Sequence, residues 1–495
     1  MSASSDSDRS APTTTGQVAR RGARTTLVAH TIVQLGSLAA TVILARLLTT
    51  GEFGIVALAQ SLLGLLSLLS LSGINAAIVT RTDGLRTAAS SYFWLCAGTG
   101  VAAVLVMTLA ARPLASLLGQ PDAGPYLAVL SFSFLFGLMQ LVPQALLQRS
   151  RKFTRMNAAL LAGSLTYLVL EVVLAFAGLG AWAVIIGNVC GAAAGFAVSI
   201  TAARWLPDTR ISMGLIRRDL SFTSGLTLGM AFSYVQKNAD YWLVSAGIGG
   251  PALGVYYVAY VLPNIIRLRI TDVVRQVMLP TYMRAGDLRS TAQLWHKTLP
   301  VLLGLGMPVF VGISLCAEPL ILLFFGASWS GAVDPLRILA LGALIDLYTT
   351  SVNIVSVAQR SVRRHVLVLG FRAGATVVGA TIAVAVWGDI VAVAGAVVTA
   401  SLTTVCLQEI LVSRHLLLGW RLVARPVATY IGLSVLMSAA VITCDVLLPS
   451  STPTAVELVV LVLVGATSYL GGGFLVARAT VRVLLRDARL VVAGR

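Results

Sequence analysis

The sequence predicts an all-α, polytopic membrane protein of about fourteen transmembrane helices, in two pseudo-symmetric six-helix lobes plus a C-terminal helix pair. Three observations carry that expectation. Hydrophobic residues make up 57% of the 495 and charged ones 11%, with a mean hydropathy of +0.89, far more apolar surface than a water-soluble core needs. The apolar stretches last roughly 20 residues or more instead of alternating over about ten, which excludes a spanning barrel. Finally, the first half of the chain returns in the second. Gly54 and Ala59 recur as Gly254 and Ala259, Arg112-Pro113-Leu114 as Glu318-Pro319-Leu320, and Gln148-Arg149-Ser150 as Gln359-Arg360-Ser361. Repeated multi-span halves mark an alternating-access carrier with its binding site between them.

Taken in order, residues 1–21 are rich in Ser, Thr, Asp and Arg and lack an apolar core, so they read as a disordered cytoplasmic tail and not a signal peptide. Apolar runs at 25–46, 53–79, 88–111, 125–147, 156–177 and 180–203 build an N-terminal lobe over 22–206. A polar linker at 207–220 contains Pro207. Runs at 221–246, 252–280, 297–316, 336–358, 365–387 and 389–413 build the second lobe over 221–416. The last two, 426–448 and 455–477, lie within 424–478 and have no counterpart in the repeat; a basic tail over 479–495 follows. An even helix number per repeat makes the repeats parallel. The stretches 112–125 and 317–335 mix Pro, Gly and apolar residues and read as interfacial segments on the outer surface.

The net charge of +17 is a matter of topology. With those helices, 28 basic residues fall on one set of alternate loops and tails, among them Arg149, Lys152, Arg284 and Arg364. The opposite loops carry only three, Arg46, Arg112 and Arg337. The positive-inside rule then places both termini in the cytoplasm and makes the basic excess an attraction to anionic lipid, with no nucleic-acid partner. The five cysteines, Cys96, Cys190, Cys316, Cys406 and Cys444, are scattered through apolar segments without metal spacing, so no metal or disulfide framework is expected. No phosphate-binding Gly-Lys-Ser/Thr loop and no nucleophile–base pair is visible, so the reading is a carrier without cofactor, not an enzyme.

A set of short motifs carries a family resemblance. They are Ala45-Arg46-Leu47-Leu48 followed by Glu52-Phe53-Gly54, Gly73-Ile74-Asn75-Ala76-Ala77-Ile78-Val79 before Arg81, and Tyr92-Phe93-Trp94-Leu95. Further on come Leu146-Leu147-Gln148-Arg149 with Phe153, Gly180-Ala181-Trp182-Ala183, Asn238-Ala239-Asp240-Tyr241-Trp242-Leu243-Val244, Leu253-Gly254-Val255-Tyr256 and Val277-Met278-Leu279-Pro280. In order and spacing, over roughly residues 20–415, the chain resembles polysaccharide transporters of the multidrug/oligosaccharidyl-lipid/polysaccharide flippase superfamily, in the Wzx-type and teichuronic-acid-exporter-like branch. Lys237 and the Arg267, Arg269, Arg275 set depart from that family's pattern. The resemblance implies a multi-pass protein of the bacterial plasma membrane that flips a polyprenyl-pyrophosphate-linked oligosaccharide outward for cell-surface polysaccharide biosynthesis. It also implies membrane lipids, a polysaccharide polymerase and glycosyltransferases as partners. The alternative within the superfamily is a multidrug/cation antiporter.

The polar residues inside the apolar runs are the candidate site. A diphosphate cannot cross hydrocarbon unassisted, so a flippase should hold cations within its membrane region. Five basic residues lie there, Lys237, Arg267, Arg269, Arg275 and Arg372, beside the acids Glu171, Asp240, Asp272, Asp346 and Glu409. Lys237, Arg267 and Arg372 are expected to face the cavity between the repeats and meet the diphosphate, with Arg269 and Arg275 as further members. Asp240 would neutralise Lys237, three residues away on the same helix face, and Asp346 would neutralise Arg372. Arg275 is near a helix end and can snorkel to headgroups. His30 and Gln34 could line the cytoplasmic mouth.

Overall fold

The computed structural model describes residues 11–66, 73–81, 83–209, 212, 214, 224–359, 361–418, 421–449 and 451–476. The tail over 479–495, residues 1–10, and the linker positions 210–211, 213 and 215–220 lie outside the described residues. Everything regular among the described residues is helical, with no β-strand. Among the described residues, eleven helices are long and apolar enough to cross a membrane. The chain is a multi-pass α-helical membrane protein. Of the other expected spans, 53–79 includes residues 67–72, which are outside the described set. The runs at 221–246 and 252–280 are occupied by helices whose apolar character is interrupted by the charged residues just named.

By clustering of contacts the chain divides into two compact units, Met1–Met230 and Ala231–Arg495. The first contains α1 (Ala11–Leu47), α2 (Thr50–Leu66), α3 (Gly73–Thr80), α4 (Leu85–Leu117), α5 (Gly124–Arg149), α6 (Phe153–Phe176) and α7 (Ala181–Ala203). Two boundaries differ from the expectation. Helix α1 begins at Ala11, inside the stretch expected to be a disordered tail: Pro12 sits in the first turn, where proline is tolerated, and Gln17, Ala19, Arg20, Arg21, Ala23 and Arg24 favour helix around Gly16 and Gly22. Helix α4 runs on through Pro113 to Leu117, so the first six residues of the expected interfacial segment at 112–125 continue the preceding helix. A short 3₁₀ turn, Pro121–Ala123, then leads into α5.

Glycines let α6 and α7 approach backbone to backbone. A methyl group on Gly191 would lie 2.7 Å from the Gly163 carbonyl oxygen and 2.7 Å from Tyr167 Cβ; one on Gly163 would lie 2.9 Å from the Gly191 oxygen. In lipid there is no hydrophobic force between helices, so such close contact of small residues supplies much of the packing energy. At one end of the unit the Arg149 guanidinium donates to the carbonyls of Ile78 and Val79, both at 3.1 Å, and to that of Arg81. It thereby ties the end of α5 to the chain leaving α3.

The second unit takes up helix α8 (Ser224–Gly247) from Ala231 onward and continues with α9 (Gly250–Arg284), α10 (Leu288–Leu315), α11 (Ala317–Phe324), α12 (Val333–Ala358), α13 (Val362–Trp387), α14 (Ile390–Gln408), α15 (Arg421–Leu447) and α16 (Thr454–Val476). The repeat seen in the sequence keeps its place in these helices. Gly54 and Ala59 of α2, like Gly254 and Ala259 of α9, are buried near the start of the second helix of their series. Gln148 and Gln359 both stand where the helix after a 3₁₀ turn ends. Asp287 caps α10 by accepting from the Ser290 amide at 2.8 Å, and hydrogen bonding to Ser290 holds its carboxyl below the ordinary aspartate value.

The pair α15 and α16, absent from the repeat, is fastened to α10 at one glycine. The Tyr469 hydroxyl donates to the Gly304 carbonyl at 2.8 Å, and a methyl on Gly304 would lie 2.7 Å from the Tyr430 ring. Gly304→Val is therefore expected to destabilise the detergent-solubilised protein by about 1–3 kcal/mol through overpacking. Tyr469→Phe, which removes one interhelical hydrogen bond, should cost about 0.6 kcal/mol. Thermal unfolding followed by size-exclusion chromatography reads both; a Gly304→Val midpoint equal to wild type would contradict this docking.

Candidate functional site

A polar cluster sits inside the second unit, where α8, α9, α12, α13 and α14 converge. Helix periodicity brings its members together: Asp346 and Thr349 share one face of α12, Asn264 and Arg267 one face of α9, and Gln236 and Asp240 one face of α8. Gly342, one turn before Asp346, has no side chain to fill the space; a methyl there would meet Val398 of α14 at 2.8 Å. Pro263, tolerated inside a membrane helix because neighbours satisfy the backbone it frees, lines the same space.

Asp346 is the hinge of the charges. Its Oδ1 is 2.5 Å from Arg372 Nη2 and its Oδ2 is 4.0 Å from Arg267 Nε. Arg372 is 8% exposed and donates further to Ser401 Oγ at 2.9 Å and Thr349 Oγ1 at 3.5 Å. Arg267 donates to Asn264 Oδ1 at 2.7 Å. Two guanidiniums thus share one carboxylate in a site with little water, where electrostatic interactions are strong. The expected pairing of Asp346 with Arg372 is present.

The expected pairing of Asp240 with Lys237 is not found among the described residues, and this corrects the sequence reading. Asp240 is 2% exposed; its Oδ2 accepts from the Tyr256 hydroxyl at 2.9 Å and its Oδ1 from the Tyr241 amide at 3.0 Å. Spacing within α8 suggested a lysine, but the neighbouring helix offers a phenol whose hydrogen bond needs no second buried charge. Tyr241 in turn packs edge-on against Tyr256, Tyr257 and Tyr260.

Of the seven candidate residues, Asp240, Arg267, Asp346 and Arg372 line one cavity, together with Gln236, Tyr260, Asn264 and Ser401. Lys237 is exposed and does not line it, and Arg269 and Arg275 are exposed on α9. Arg269 lies well round the helix from Arg267, as two residues at 100° each require. His30 is exposed and Gln34 half-buried on α1, in the first unit. The sequence reading missed Asn264, Thr349, Ser401 and Tyr260. A usable signal was their helical spacing: Asn264 is three residues before Arg267, and Thr349 three after Asp346.

The cavity measures about 30 Å³. That is room for roughly two water molecules at about 10–15 Å³ each on the same measure. A diphosphate is too large for it. Among the described residues no group of three or more His, Cys, Asp or Glu side chains is placed to hold a metal ion.

A family described as polysaccharide biosynthesis protein matches residues 43–334, more than half of the chain. The chain belongs to this family. The family match takes in Asp240 and Arg267 and ends before Asp346, Arg372 and Ser401. Among curated members of known naming, the succinoglycan biosynthesis transport protein ExoT of Rhizobium meliloti is 27% identical over 303 residues, covering 60% of this chain and 61% of ExoT. The lipopolysaccharide biosynthesis protein WzxC of Escherichia coli is 21% identical over 327 residues, 66% of each chain. The chain therefore spans a little under two thirds of these relatives' lengths. In fold it is similar to the lipid II flippase MurJ in an inward closed conformation, with a TM-score of 0.75 at 14% identity, covering 92% of this chain and 99% of that one.

Proposed function

We propose that this polysaccharide biosynthesis family protein is a flippase. It carries a polyprenyl-pyrophosphate-linked oligosaccharide from the cytoplasmic to the outer leaflet of the bacterial plasma membrane, by alternating access and without bond chemistry. The observation that carries the reading is the pair of guanidiniums on one carboxylate, with the cavity's other acid, Asp240, held apart by Tyr256 and the Tyr241 amide. Arg267 and Arg372 converge on a single carboxylate, an arrangement that suits an anionic group better than the cationic substrate of a drug antiporter. The naming of ExoT as a succinoglycan biosynthesis transport protein, of WzxC as a lipopolysaccharide biosynthesis protein and of MurJ as a lipid II flippase agrees with it.

In this reading Arg267 and Arg372 supply the cations that meet the diphosphate, Asp346 balances them when the site is empty, and Asp240 shapes the wall. Lys237, Arg269 and Arg275, outside the cavity, meet headgroups or the approaching substrate. An inside-negative potential favours outward movement of an anionic headgroup by about 2.3 kcal/mol per charge per 100 mV, if the charge crosses the full field. Depleting the protein should abolish surface polysaccharide and leave the lipid-linked precursor inaccessible from outside; undiminished outside presentation without a paralogue would refute the flippase.

The same proposal includes fourteen crossings with both termini cytoplasmic, supported by the loop arginines. Cysteines placed at positions 150 and 362, after replacement of the native five, are expected to react with an impermeant maleimide only once the membrane is opened. Labelling of either in intact cells would overturn this orientation.

A further inference from the structure

A second, larger cavity of about 720 Å³ opens at one end of the first unit, among the start of α4, the end of α5, the end of α7 and the chain leaving α7. Its wall is apolar: Leu85, Ala89, Leu146, Ile200 and Leu206 line it, and Trp205 stands edge-on to Phe93 with ring centroids 5.8 Å apart. Three features of its rim point to a ligand. Arg86 and Arg204 line the cavity, are exposed, and form no ion pair among the described residues. The Trp205 indole N–H is buried with no acceptor among the described residues. Arg204 holds a left-handed backbone, φ 51°, as the residue closing α7, a conformation that L side chains adopt at a cost and that fixes where this arginine leaves the helix.

Among the described residues these side-chain donors have no acceptor, while neighbouring arginines are occupied by backbone carbonyls: Arg149 by that of Ile78, Arg155 by that of Ala202 at 3.2 Å and Arg81 by that of Asp83 at 2.8 Å. No acid lines the cavity; Asp83 is exposed before α4, and the Asp208 carboxylate accepts from the Thr209 amide at 2.8 Å. The chain leaving α7 is clamped over α4, with the Asp208 amide donating to Ser90 Oγ and the Trp94 indole to the Asp208 carbonyl, both at 2.9 Å. The cavity floor is therefore built, not a gap between loose loops.

We infer that this cavity holds an anionic phospholipid of the surrounding leaflet, its phosphate between Arg86 and Arg204 and its acyl chain along the apolar wall. A phosphodiester with a hydrocarbon chain matches both halves of the lining. A glycan suits it less: beyond the rim donors the wall offers one hydroxyl, that of Thr201, which donates to the Ala197 carbonyl at 2.9 Å, against five aliphatic side chains. This sets the cavity apart from the cluster around Asp346, and its occupant does not depend on the flippase reading.

Native mass spectrometry of the full chain tests it, with phosphatidylglycerol and phosphatidylcholine as probes. Wild type should retain phosphatidylglycerol at least tenfold more than phosphatidylcholine, and the R86Q/R204Q variant should lose that preference while R86K/R204K keeps most of it. Inorganic diphosphate, lacking a chain, should not displace the lipid. Unchanged phosphatidylglycerol retention in R86Q/R204Q overturns the inference. So does displacement by undecaprenyl diphosphate at equal concentration, which would make the cavity an entry site for substrate.

Discussion

Replacing Asp346 with alanine should destabilise the protein by about 3–5 kcal/mol, the largest loss expected from any single change in the cluster. The carboxylate is 2.5 Å from Arg372 and 4.0 Å from Arg267, so its removal leaves two largely buried guanidiniums with no carboxylate paired to either among the described residues. Ser401, Thr349 and Asn264 hydrogen-bond to these arginines but carry no charge. Asp346→Asn keeps the shape and a carbonyl acceptor and should fall between. The mechanism makes a further demand. Once Arg372 is replaced by leucine, loss of Asp346 should cost much less, because the charge it chiefly balanced is gone. A double-mutant cycle on thermal unfolding measures that coupling, expected at about 1–3 kcal/mol for groups in direct contact. Additive effects of the two changes would show that the pair does not hold the cluster together.

Much of this architecture is legible in the chain because lipid enforces simple rules. Every backbone polar group must be satisfied within its own span, so long apolar runs become helices, and the runs read from sequence fall on α4 to α10 and α12 to α16, with α10 starting at Leu288, nine residues before the expected 297. The two-hundred-residue echo is legible for the same reason: Gly54 and Gly254 are both buried near the starts of α2 and α9. The site was only half legible. Charge inside an apolar run announces itself, and the Asp346–Arg372 pair could be guessed from its cost. Which charge meets which partner is a property of helices far apart in sequence. Asp240 illustrates it, since local spacing pointed to Lys237 and packing of α9 supplied Tyr256. Uncharged members such as Ser401 carry no signal of their own among the many serines and threonines that bond back to their own helix, as Thr404 does to Ala400.

The two arginines of the cluster should separate when export and abundance are measured side by side. Arg372 is anchored by Asp346, Ser401 and Thr349, so its loss strands the carboxylate and is expected to reduce folded protein as well as transport. Among the described residues Arg267 is held only by Asn264 and by a carboxylate 4.0 Å away that Arg372 already balances. It is the guanidinium that can turn to an incoming diphosphate at small cost. Arg267→Ala and Arg267→Gln should therefore leave membrane abundance near wild type while lowering export roughly 10- to 100-fold, the loss of a charge-assisted hydrogen bond of about 1.5–3 kcal/mol. Arg267→Lys keeps the charge but not the two-pronged geometry and should retain an intermediate rate. Quantifying surface polysaccharide against protein level across the series decides the matter. Full export by Arg267→Ala at normal abundance would remove this residue from the substrate path, and loss of abundance in step with export would make it structural.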